Sequence, residues 1–129
     1  MKRNWSVIRS VLEQVEADTI ERYIRDREYL NDPECASKEV FLGHVKILID
    51  AGILQYCSVK RGVSGKFESY DFRGIFMSMD GYDLLGALRS EIIWNKITQK
   101  AEQCGVTISW TFFEAAYPVV ISEILLVSS

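Results

Sequence analysis

The sequence predicts an α+β chain, mainly helical. Three observations lead there. Apolar residues recur at helical spacing over residues 4–18, 38–51 and 79–103. A glycine closes the second run, in "HVKILIDAGIL" (44–54), and the chain then turns extended. Two alternating segments, "ILQYCSV" and "SYDFRGIFMS", flank the loop "KRGVSGKFE", which reads as an antiparallel hairpin. A helix that passes through a glycine stop into a hairpin is the layout of a winged-helix-like domain. The sequence therefore predicts a two- or three-stranded wing sheet followed by two C-terminal helices.

The first helix starts at Asn4, whose side-chain oxygen can accept the free amides of a first turn. Trp5, Ile8, Leu12 and Val15 form its apolar face, and Asp18 and Thr19 end it. "TIERYIR" (19–25) alternates weakly and reads as a short strand. "DREYLNDPECA" reads as a loop turning at Asn31-Asp32-Pro33. Ser37 caps a helix over 38–51, with Phe41, Val45 and Leu48 inward and Lys38, Glu39, Leu42, Gly43, Lys46 and Asp50 on the polar face. A helix-turn-helix needs another helix before this one, and the only room seen for it is one turn at "DPECAS". After the wing, Ser78 caps a single long helix to about Gln103, stopped by Gly105. A terminal helix starts near Thr107 or Ser109 and reaches about Val127, with Pro118 expected to kink or divide it. Residues 1–78 are expected to form the winged-helix-like core. Residues 79–129 are expected to form a helical extension packed on it, in one domain overall.

The hydrophobic fraction of 48% and the charged fraction of 26% are ordinary for a soluble globular chain. A net charge of −3 gives no generally basic coat. The positive charge is local: Lys2 and Arg3 at the start, and Lys60, Arg61 and Lys66 in the wing loop. Cys35, Cys57 and Cys104 fit no zinc spacing and read as free thiols packed as small hydrophobes. With no apolar run behind "MKRNWS", a cytoplasmic location is expected. Residues 108–127 are strongly apolar, but Glu114, Glu123 and Pro118 interrupt them. No membrane partner is expected, and a buried or oligomer-forming helix is the reading.

Several stretches together resemble an uncharacterised family of small phage and prophage proteins, known only as a domain of unknown function. That family opens M-K-R-D with an apolar helix, here "MKRNWSVIRSVL". It continues H-V-x-L-L-x-x-A-G-L-I, here "HVKILIDAGIL", and L-T-x-x-G-x-D-F-L-x-A-x-R with a tryptophan beyond, here "MSMDGYDLLGALRSEIIW". Asn4, Ser78 and Leu84 depart from the pattern, and the tail after Trp110 is more apolar than in relatives. The resemblance implies a winged-helix-like fold and a phage or prophage origin. It supplies no activity.

No catalytic constellation appears: no phosphate loop, dinucleotide fingerprint or nucleophile elbow. The chain is not expected to be an enzyme, and no cofactor or metal is expected. Glu13/Glu16 and Asp80/Asp83 read as a solvated face and a helix-dipole match. His44, the single histidine, reads as structural or incidental, the alternative being a contact to a DNA backbone or a partner. The expected nucleic-acid contacts are Lys60, Arg61 and Lys66 on the wing, Lys46 and Lys38 on the helix before it, and Lys2 and Arg3. That helix offers no Arg, Asn or Gln for paired bonds to base edges. Trp110, Phe113, Tyr117, Val120, Ile121, Ile124 and Leu125 cover more than one face of the last helix and read as a homodimer or host-protein interface. Two functions follow: a DNA-binding regulator acting on duplex DNA as a dimer, or an interaction module that modulates a host defence complex.

Overall fold

The computed structural model describes residues 2–128. It is α+β and dominated by helix, and it divides into two compact units, Met1–Leu85 and Gly86–Ser129. The division falls within a helix, between Leu85 and Gly86.

The N-terminal unit begins with α1, Trp5–Glu16, capped by the Asn4 side chain, which accepts the Ser6 and Val7 amides at 2.9 and 3.2 Å. Val7, Ile8, Val11 and Leu12 are its buried stripe. The segment expected as a strand is instead α2, Ile20–Arg25, which buries Ile20 and Ile24. That spacing of four serves a helix, and among the described residues no strand pairs with this segment. A short 3-10 turn, Glu28–Asn31, follows. The α-helix that precedes residues 38–50 is therefore "IERYIR", not a turn at "DPECAS".

Next comes α3, Lys38–Asp50, where the Ser37 hydroxyl accepts the Val40 amide at 3.2 Å. Gly52 takes φ 75°, a conformation that costs a residue without a β-carbon little. The two expected strands are each split: β1 (Leu54–Gln55), β2 (Ser58–Arg61), β3 (Phe67–Asp71) and β4 (Phe76–Met77). β1 pairs with β4 and β2 with β3, both antiparallel. The split falls at Tyr56, which sits at φ 59°, opposite Gly74, where an added β-carbon would lie 3.2 Å from the Tyr56 carbonyl oxygen. Helix α3 lies at the centre of this unit, against α1, β1, β2 and β3.

The expected long helix is two: α4 (Met79–Arg89) and α5 (Glu91–Cys104). Ser90 breaks it because its extended backbone lets the hydroxyl cap α5, accepting the Ile93 amide at 3.2 Å. In the C-terminal unit α5 packs on α6, Trp110–Ser128, joined by Lys100–Glu123 at 2.8 Å. Pro118 does not divide α6, which is assigned as one continuous helix.

Candidate nucleic-acid interface

The wing is the β2–β3 hairpin. Its register runs Ser58↔Asp71, Val59↔Tyr70, Lys60↔Ser69 and Arg61↔Phe67, so Glu68 is the extra residue of a bulge. The Gly62 amide bonds to the Lys66 carbonyl at 2.8 Å and closes the tip. Lys60 and Lys66 are exposed and make no ion pair among the described residues.

Arg61 is differently placed. Its guanidinium lies 4.0 Å from the Phe67 ring centroid and donates to the Gly65 carbonyl at 2.6 Å. Glu39, on α3, stands 3.9 Å from it and also accepts the Phe67 backbone N–H. One carboxylate thus ties the wing to α3 and offsets one of its three cations. The sequence placed Glu39 only on the polar face of this helix, because the hairpin's return past the start of α3 is a tertiary fact.

Lys46 is paired with Asp50 at 2.9 Å, and Lys38 lies 5.9 Å from the Tyr70 ring centroid. Lys2 and Arg3 are exposed, with the Arg3 guanidinium 5.6 Å from the Trp5 ring centroid. Arg73 forms a paired bond with Asp71, at 2.8 and 3.0 Å. The Arg73 side chain holds the Asp71 carboxyl at a pKa of about 2.

The middle of α3 overturns one expectation. Leu42 and Gly43 are not on a polar face: Phe41, Leu42, Gly43, His44 and Val45 are all buried. At 3.6 residues per turn, five consecutive buried positions enclose the helix on every side. A major-groove reader needs one open stripe there. His44 is the polar member of this enclosed run. Its Nδ1–H donates to the Val40 carbonyl at 2.7 Å, and its Nε2 accepts the Asn4 amide at 2.9 Å. Burial pushes its pKa below the ordinary value of 6.5.

The apolar tail also sorts differently. Phe113 and Val120 are buried, so neither can face a partner as expected. Trp110, Tyr117, Ile121 and Ile124 are half-buried, and Leu125 is 63% exposed. Only 17% of Trp110–Val127 is buried, so of the two readings, a buried or an oligomer-forming helix, the first does not hold. By length and composition α6 is the one helix among the described residues that could cross a membrane.

Cys35 is buried and Cys57 half-buried, and burial raises both thiol pKa values. Cys104 is exposed, contrary to its reading as a small core residue. Among the described residues no three His, Cys, Asp or Glu side chains gather as a metal-binding group. One surface was missed by sequence reading. Tyr56, Phe76, Met79 and Tyr82 are exposed by 77, 53, 84 and 52%, and the first two rings lie 6.3 Å apart. Its signal, the left-handed Tyr56, is not written in residue type.

Residues 2–107 match the family described as "Hypothetical protein (DUF2513)". The chain belongs to the DUF2513 family. The match spans the whole N-terminal unit and α5, whereas α6 lies beyond it. For this DUF2513 member no curated protein matches. No solved structure matches it either.

Proposed function

We propose that this protein is a small DNA-binding regulator of phage or prophage origin that grips the phosphate backbone rather than reading bases through α3. The observation that carries the reading is the wing tip, where Lys60 and Lys66 stand exposed and in no ion pair among the described residues. Lys38, Lys2 and Arg3 could add phosphate contacts. Lys46 and Arg61 contribute less, because Asp50 and Glu39 already offset them. The enclosed α3 leaves specificity to DNA shape and deformability.

A salt titration on random duplex DNA tests this. Each phosphate neutralised contributes a slope of about −0.9 in log K against log salt. The double variant Lys60→Ala with Lys66→Ala should lower affinity and flatten the slope by about 2. Absence of duplex binding at low salt would remove the reading. The genes adjoining this one in its source genome test the phage or prophage origin.

A second reading is a protein-interaction module that modulates a host complex. The exposed Tyr56–Phe76 surface favours it, since an aromatic patch of this kind is a usual protein contact. The overall charge of −3 also favours it. Within either reading, the exposed end of α6 serves self-association rather than a bilayer. Glu114 and Glu123 would oppose insertion, a carboxylate at a span's centre costing about 2.5–3.5 kcal/mol. Sedimentation at tens of micromolar tests the dimer.

A further inference from the structure

We propose that the cleft enclosed by α2, the turn after it, the start of α3 and β3 binds a phosphate ester of nucleotide size. The cleft holds about 490 Å³. That lies within the ~300–1,000 Å³ range of small-ligand sites. Arg25, Arg27 and Lys38 line it, and no carboxylate does. The carboxylate nearest these cations is Asp26, 3.6 Å from the Arg25 side chain, and it is not part of the lining. In a chain of net charge −3, three cations facing one concavity form a local concentration of positive charge.

The rest of the lining suits a flat ring attached to that phosphate. Tyr29 is 5% exposed and is one of the lining residues, its ring centroid 6.0 Å from that of Phe41. Tyr70 is stacked on Phe72, with centroids 4.6 Å apart and planes 17° from parallel. The Lys38 ammonium lies 5.9 Å from the Tyr70 ring centroid. A base entering there takes the place of that ammonium against the ring, and the ammonium turns to the phosphate. Arg27 is held at φ 56°, which directs the chain around this turn at a position where an arginine is disfavoured. The phosphate is held by side chains rather than by free amides at the start of α3, where the Ser37 hydroxyl already accepts the Val40 amide.

The same chemistry is offered by a free mononucleotide and by the 5′-phosphorylated end of an oligonucleotide. Calorimetric titration of the full chain with AMP, adenosine and a 5′-phosphorylated oligonucleotide separates them. AMP binding with a dissociation constant of about a millimolar or below is expected, with adenosine at least about tenfold weaker. In the Lys60→Ala with Lys66→Ala variant, saturable binding of the 5′-phosphorylated oligonucleotide but of neither its unphosphorylated form nor AMP assigns the terminal source, also within the proposal. Arg27→Asn with Lys38→Gln should weaken AMP about tenfold while the melting temperature holds, because asparagine tolerates the same backbone conformation. Lys60→Ala with Lys66→Ala should leave AMP binding intact, so the cleft and the wing fail or stand separately. If neither phosphate ester saturates by about 10 mM, or the cleft variant binds like the parent, the proposal is overturned.

Discussion

His44 and Asn4 meet across 40 positions of chain, the imidazole Nε2 accepting the Asn4 backbone N–H at 2.9 Å. A carbonyl can only accept and an amide can only donate. The Val40 carbonyl and the Asn4 amide therefore fix one neutral tautomer, with the proton on Nδ1. Protonation would set N–H against N–H inside a buried site.

Acid sensitivity follows. The unfolded chain binds a proton near 6.5 and the folded one only at lower pH, because burial disfavours the imidazolium. Stability is complete above 6.5, declines as pH falls below it, and goes on declining through the folded value. Urea unfolding at pH 7.5 and 5.5 should show a lower midpoint at 5.5. His44→Gln should flatten that difference while costing about 1–3 kcal/mol at neutral pH. Equal midpoints in the parent at both values would contradict the assignment.

Glu39→Gln should strengthen duplex binding at low salt a few-fold, since it removes a negative charge from the wing base and leaves Arg61 less offset. Folding stability should change by less than about 1 kcal/mol, because the amide oxygen still accepts the Phe67 N–H. Unchanged or weaker duplex binding would show that Arg61 does not face phosphate.

Gly81→Ala tests close packing in the N-terminal unit. A β-carbon there would lie 2.5 Å from Met77 Cγ and 3.0 Å from Ile53 Cγ2. Both neighbours are buried, so a loss of about 1–3 kcal/mol is expected in thermal or urea unfolding. Full stability would mean that the Met77 side chain has room to move aside.

Tyr56→Asn tests the left-handed turn. Asparagine accepts φ 59° more readily than tyrosine, and the tyrosine ring is largely exposed. The melting temperature should rise, by the equivalent of up to about 1 kcal/mol. A fall of that size would show that the Tyr56–Phe76 ring pair outweighs the backbone strain.

The tail divides by burial. Phe113→Ala should destabilise by about 3–5 kcal/mol, because its side chain is only 2% exposed. Leu125→Glu should leave the melt unchanged and abolish self-association in sedimentation. A Leu125→Glu variant that still dimerises would move the interface elsewhere.

Local chemistry was the legible part of this fold. Asn4, Ser37, Gly52 and Gly105 mark helix ends by side-chain or backbone properties that act within a few residues, and each sits where those properties require. "IERYIR" misled because six residues give too short a window to separate an alternating pattern from a spacing of four. Ser90 was hidden inside a periodic run, since Leu88 and Ile92 keep helical spacing across the break. The wing's lysines were readable from type and loop position. The Glu39 tether, the enclosure of α3 and the aromatic surface were not, because each depends on which distant segment comes to lie alongside.

Enclosure of α3 has a consequence for how such a scaffold could diversify. Where a recognition helix is open, new targets can be acquired by exchanging a few of its outward side chains. Residues 41–45 have no outward side chain to exchange, so substitutions there fall on foldability. Val63, Ser64 and Lys66 in the turn beyond are exposed and carry no such penalty, and new specificities would have to accumulate there, by altered length and charge of a surface loop.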